Sequence, residues 1–417
     1  MQSYDQFVLD LELVRSHFPA FDDGKEPRFF ENAGGSFACR QTSDALHRFY
    51  TETKVQPYAA YPESATGGEL MDWSYARWAQ ALGVADSEIL FGPSTSMNTY
   101  VLAQAFGQRL GAGNEVIVTN QDHEANTGAT RRMAEACGAT LREWSVDATT
   151  GELHLADLEA LLSENTKLVV FPHCSNIVGA ENDVAAICAL ARAAGAHTIV
   201  DAVAYAPHGF VDVGALGADV YLFSMYKTYS VHQGLMVLRN ELADWLPNQS
   251  HHFNGADSRK RMIPAGPDHA QVAAAGAVLD YVEATTPGFA GDLRGACAAA
   301  KETWQTHEAS LLQPVLRWLD DRAGIRVIGP TEATAGMHRC PTVAFVSEEK
   351  SSAEIAAGLI RLGVMANNGN FYAQRVLEGT GVDIDDGVVR VSWVHYTSQA
   401  DIDHLLGAIE QVLAATA

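Results

Sequence analysis

From about residue 26 to residue 285, short apolar runs alternate with alanine-rich stretches whose apolar positions recur at helical spacing. The runs Glu115–Thr119 and Lys167–Pro172 are almost continuously apolar, which predicts strands buried on both faces. Ile89–Phe91, Thr198–Val203 and Tyr221–Ser224 continue the rhythm. The stretch Asp183–Ala194 predicts a helix that stops at Gly195, just before the 198–203 strand. Such alternation implies an α/β fold with a mostly parallel central sheet flanked by helices on both faces. On either side the pattern changes. The first 25 residues are mixed and amphipathic, with a helix expected around Leu9–Phe18, and Arg28–Asn32 reads as a short strand entering a tight turn at Ala33-Gly34-Gly35. After about residue 286 a smaller α+β region contains the strand candidates Thr342–Val346 and Val388–Trp393. The expected division is an N-terminal segment (1–25) packing on the small domain, a large domain (26–285) and a small C-terminal domain (286–417).

Composition narrows the class. With 417 residues, 47% hydrophobic and 19% charged, the chain is long enough for two domains sharing a large core. No apolar run approaches a membrane span, and Met1-Gln2-Ser3-Tyr4-Asp5 opens no basic region followed by an apolar block, so no secretory signal is expected. The six cysteines (39, 137, 174, 188, 297 and 340) form no CxxC and no metal-ligand spacing, so reduced thiols, a cytoplasmic location and no metal are expected. A formal charge of −23 argues against nucleic acid or an anionic membrane surface as a partner.

Chemistry enters where the strands end. In open α/β sheets the residues after each strand converge on one crevice. Lys227, one of only seven lysines against twenty-one arginines, follows the apolar run Tyr221–Ser224. A buried ammonium is costly unless its proton is lost or its nitrogen is bonded covalently, and desolvation makes the free amine a Schiff-base nucleophile. Twenty-six residues earlier, a second apolar run ends in the carboxylate of Asp201. Either residue alone would only mark a strand end. Together they meet the needs of pyridoxal 5'-phosphate, whose aldehyde the lysine would hold and whose pyridine nitrogen the aspartate would keep protonated. Gly92-Pro93-Ser94-Thr95-Ser96 opens an apolar helix and offers an anion site, although a plain N-cap would look the same. His123 follows the strand at 115–119, and Asn176 follows the strand at 167–171.

In order along the chain, Asp122-His123-Glu124-Ala125-Asn126, Ser175-Asn176, Val200-Asp201-Ala202 and Ser224-x-x-Lys227 resemble the class V aminotransferase family. The likeness runs from about residue 26 to the C-terminus and favours the cysteine desulfurase and selenocysteine lyase branch. It is nearest to a sub-branch, described only as cysteine desulfurase-like, that shares Asn32-Ala33-Gly34-Gly35 and Tyr205-Ala206-Pro207-His208. The resemblance implies fold-type I of the pyridoxal-phosphate enzymes, with Lys227 as Schiff-base lysine and proton shuttle, Asp201 on the pyridinium and His123 stacked on the ring. It further implies Asn176 on the ring hydroxyl, Thr95, Ser96 and Ser224 on the phosphate, and Arg390 on the substrate carboxylate. Asn32 and Tyr372 are expected at the substrate. The active site would lie at a homodimer interface, with Gly266 reaching the neighbouring subunit's phosphate.

Four departures bear on the reaction. Desulfurases of this family carry a catalytic cysteine in an Arg-x-Gly-x-x-Cys-Ala loop; here the stretch reads Asn367-Asn368-Gly369-Asn370-Phe371-Tyr372-Ala373. Tyr372 stands where the persulfide-forming thiolate should be. Tyr226 replaces the usual histidine before the lysine, Ala204 replaces a Gln or His, and Gly266 replaces a Thr. The expected function is therefore an aminotransferase-like enzyme for a small amino acid. β-Elimination, including C–S cleavage, remains open because it also needs only Lys227 as base. A nicotinamide dehydrogenase is disfavoured, since no G-x-G-x-x-G follows a strand. A non-catalytic scaffold would not need Lys227, Asp201 and Arg390 together.

Overall fold

The computed structural model describes residues 8–332 and 339–415. Seven strands form the large sheet: β1 (Ile89–Gly92), β2 (Glu115–Thr119), β3 (Thr140–Trp144), β4 (Thr166–Pro172), β5 (His197–Asp201), β6 (Val220–Ser224) and β7 (Gly234–Leu238). Their order is β1-β7-β6-β5-β4-β2-β3. Only β7 runs against its neighbours, β1 and β6; the other pairings are parallel. Successive residues of a strand enter opposite cores. Ile117, Val169, Phe171, Val200 and Phe223 join one cluster, while Val116, Val118, Val170, Ile199 and Leu222 join the other. Helices cover both faces, so neither set meets water, and the strands read as unbroken apolar runs.

The differences from expectation are local. β3 and β7 lie outside the expected set. β3 is an edge strand whose Thr140–Trp144 is largely exposed until Trp144, so it lacks the apolar run. β7 follows the Lys227 turn so closely that no separate element stands out. The expected strand 198–203 ends at Asp201, because Ala202 starts a turn closed by Tyr205 N donating to Ala202 O. The helix Val184–Ala193 forms as its signals required, with Asp183 as N-cap accepting from Ala186 N at 3.0 Å. The strand expected at 28–32 is reduced to two bridges, Phe29 with Met365 and Glu31 with Ser392.

The second sheet is antiparallel, comprising β8 (Ile325–Ile328), β9 (Thr342–Ser347), β10 (Asn367–Gly369) and β11 (Val388–Ser392) in the order β10-β11-β9-β8. One face packs against the helices Leu293–Asp320, Ser352–Arg361 and Gln399–Ala414. The other meets Ile177 and Val178, from the turn after β4. That apolar seam brings β11 to the carboxyl edge of the large sheet. The N-terminal helix Leu11–Ser16 is shorter than expected, and the segment touches both halves. Arg15 pairs with Asp401 at 2.5 Å, while the fully buried Phe18 packs edge-on against Tyr229, Tyr281 and Tyr396. Among the described residues no helix is long and apolar enough to cross a membrane.

Candidate active site

The carboxyl ends of β1, β2, β4, β5 and β6 surround one cavity. At one end the helix Thr95–Gly107 begins, capped by Ser94 Oγ, which accepts from Met97 N. Thr95 Oγ1 and Ser224 Oγ lie 2.8 Å apart, and Ser96 and Tyr226 line the wall beside them. The first glycine of β7 makes this cradle possible. A Cβ on Gly234 would stand 2.4 Å from Thr95 N, so any side chain would force the helix terminus away. Hydroxyls and free amides at a helix N-terminus suit an oxyanion.

The turn Met225–Lys227 follows β6 and buries Lys227, which is 7% exposed. Burial, and then the Arg390 charge, lower its pKa to about 8 against the opposing pull of Asp201 and Glu31. Asp201 closes β5, with Oδ1 accepting from Val203 N at 2.8 Å; burial raises its pKa to about 6 despite that bond and Lys227. Asp122 shares the cavity wall. It accepts from His123 N at 2.8 Å and Asn126 Nδ2 at 2.6 Å, and burial together with the Asp201 charge pushes its carboxyl upward. His123 accepts from Ala125 N through Nδ1 at 3.0 Å, which assigns its proton to Nε2. Burial, with Lys227 and Arg390 behind it, lowers that imidazole to about 3, so it is neutral at physiological pH.

The small sheet supplies the opposite side. Arg390 on β11 is 3% exposed, and burial lowers its pKa only to about 10, so it stays charged. Nη1 donates to Asn176 O at 3.1 Å, Nη2 lies 3.7 Å from Glu31 Oε1, and the guanidinium carbon sits 3.7 Å from the Phe371 ring centroid. Nε is buried without a hydrogen-bond partner among the described residues. Asn176 donates to Phe371 O at 3.0 Å, and its Oδ1 is likewise buried and unpartnered. Buried polar atoms left unpaired are costly, so these two point to a ligand.

The family model "Aminotransferase class-V" matches residues 28–405. The chain belongs to the aminotransferase class-V family. A relative in Gibberella zeae, aminotransferase-like protein FGM3, is 34% identical over 97% of this chain and 98% of its own. A probable cysteine desulfurase of Streptomyces coelicolor is 27% identical over 97% of both chains. In fold, the chain superposes on the cysteine desulfurase CsdA from Escherichia coli with a TM-score of 0.80 and 23% identity, covering 98% of this chain and 99% of that one. Membership makes this a pyridoxal 5'-phosphate-dependent enzyme family, and the cavity fits the group. It offers an oxyanion cradle at one end, a buried lysine, a carboxylate on β5, a neutral imidazole and an unpartnered amide oxygen.

The structure gathers Thr95, Ser96, His123, Asn176, Asp201, Ser224 and Lys227 around this one cavity. Arg390 is tied to it through Asn176. Three expected residues are not part of that lining. Asn32 donates its amide to Phe29 O and Ser392 O and accepts from Tyr396 OH. Tyr372 is 74% exposed at the rim, its ring 5.5 Å from that of His123. Gly266 is exposed and touches none of these groups within its own chain. Asp122 and Glu31 bear on the site without having been expected as its members. The Asp122-His123 pair was the readable signal for the first. Contacts made across the seam between the sheets leave no such signal.

Proposed function

We propose that this chain is an aminotransferase-like pyridoxal-phosphate enzyme acting on a small amino acid, with Lys227 as the covalent anchor. The observation that supports it is a buried lysine lining one cavity with Asp201, its pKa lowered by burial and then by the Arg390 charge. When bound, the cofactor supplies a protonated pyridine ring that draws electrons from the substrate's α-carbon. The remaining work falls to side chains. Asp201 would hold the ring nitrogen protonated, His123 would lie against the ring face, and Asn176 would meet the ring hydroxyl. Thr95, Ser96 and Ser224 would take the phosphate. Arg390 would grip the substrate carboxylate along its unspent Nε–Nη2 edge, a fork geometry suited to two parallel bonds. Lys227, neutral above about pH 8, would carry the proton to and from the α-carbon.

In this reading residues 26–285 hold the cofactor and residues 286–417 supply Arg390. Assembly as a homodimer is part of it, with Gly266 and its neighbours facing the partner's site. A cytoplasmic location fits six cysteines that are all free. β-Elimination would use the same residues. Products separate the two: a keto acid formed with amino transfer to an acceptor acid supports transamination, whereas pyruvate with ammonia from a β-substituted amino acid, and no amino transfer, refutes it.

A further inference from the structure

Arg390 is not alone at the end of the site. Glu31 Oε1 lies 3.7 Å from Arg390 Nη2, too far for a hydrogen bond; that oxygen is buried with no hydrogen-bond partner among the described residues, in a side chain that is 24% exposed. The tight turn Glu31–Gly34, closed by Gly34 N donating to Glu31 O at 2.8 Å, sets its place. The carboxylate lies over that turn, because a Cβ on Gly34 would stand 3.3 Å from Oε2. Its charge also reaches Lys227, opposing the effect of Arg390 there. Phe371 covers a face of the guanidinium, and Nη1 is spent on Asn176 O. The edge left for a ligand carboxylate is Nε–Nη2, the edge beside which Glu31 already sits.

Charge counting then discriminates between substrates. Arg390 and Glu31 form a neutral pair whose side chains are 4% and 24% exposed. A ligand bringing only a carboxylate leaves that region with one uncompensated negative charge next to Glu31, which a partly desolvated site penalises. A ligand that brings a second ammonium along with its carboxylate leaves it neutral and satisfies the orphaned Glu31 oxygen. The charges of Lys227, Asp201 and the cofactor are the same for both ligands and drop out of the comparison.

We propose that Glu31 is a specificity-determining residue that reserves the site for amino acids carrying a second ammonium on a short side chain. This rests on the Arg390 clamp of the proposed function and names the substrate class that clamp takes. The test is a spectral titration of purified holoenzyme with L-alanine and with L-2,4-diaminobutyrate, in the wild type, Glu31→Gln and Glu31→Asp. Wild type should bind the diamino acid at least about tenfold more tightly than alanine, the scale of one charge-assisted hydrogen bond. Glu31→Gln should weaken the diamino acid by about tenfold and tighten alanine, while Glu31→Asp keeps the wild-type order. A merely structural role would shift both ligands together, and that result, or no shift in either, overturns the proposal. Failure of the underlying reading looks different: no visible cofactor band in any of the three proteins, or no response to either ligand.

Discussion

Replacing Asp201 by Asn should make the apoprotein more stable and the enzyme useless. Asp201 is 5% exposed, and burial raises its carboxyl from 3.8 to about 6. A carboxylate with a raised folded-state pKa binds its proton more tightly when folded, so its contribution to stability falls as pH rises through the window from about 4 to 6. Above that window the full penalty applies. At about 1.4 kcal/mol for each pH unit of that window, the penalty is about 3 kcal/mol at pH 7 and about half as much at pH 5. Asn keeps an oxygen in the place that accepts from Val203 N at 2.8 Å, so the turn after β5 should survive. Relieving Asp201 also relieves Asp122, whose carboxyl its charge pushes up, which adds in the same direction. The assay is denaturant unfolding of cofactor-free wild type and Asp201→Asn at pH 5 and pH 7. The substituted protein should be more stable at both, with a larger gain at pH 7, yet hold cofactor more weakly and turn over poorly. Equal stabilities at pH 7, or a gain larger at pH 5, would refute the assignment of Asp201 as a strained buried carboxylate.

Three further outcomes follow from the same geometry. Arg390→Lys keeps the charge but loses the fork, and losing one charge-assisted bond costs about 1.5–3 kcal/mol, so amino-acid affinity should drop about tenfold to a hundredfold in the spectral titration; an unchanged affinity would mean the clamp lies elsewhere. With Tyr372 at the rim and Cys174 held on Gly179 O at 3.2 Å, cysteine should yield no protein persulfide, and alkylating the accessible thiols should leave turnover largely intact; alanine released in step with a persulfide mapped to any cysteine would restore a desulfurase. Sedimentation should show a dimer, and a fully active monomer would remove Gly266 from any site.

The strand rhythm made the large sheet readable because its central strands are buried on both faces and carry no polar interruptions. The helix cap at Asp183, the Lys227 turn and the Asp201 strand end were visible for the same local reason. What was not legible depends on contacts between distant segments. β7 looks like a continuation of the Lys227 turn until Gly234 is seen against Thr95, and its reversal is a matter of sheet topology. Asn32 stood out by its motif, whereas its hydrogen bonds to Tyr396 and Ser392, 360 or more residues away, had no signal along the chain. Glu31 and Phe371 reach Arg390 only because the apolar seam of Ile177 and Val178 docks the small sheet on the large one. No spacing rule along the chain encodes that docking.

The central claim is that Lys227 is the residue that holds the cofactor, and one measurement addresses it directly. The purified protein is reduced with borohydride, digested, and its peptides are mapped by mass spectrometry for a pyridoxyl-phosphate adduct. A single adduct is expected on Lys227, in the peptide containing Ser224-Met225-Tyr226-Lys227, and none in Lys227→Ala. An adduct on another lysine, or none in a protein shown to turn over amino acids, would contradict it.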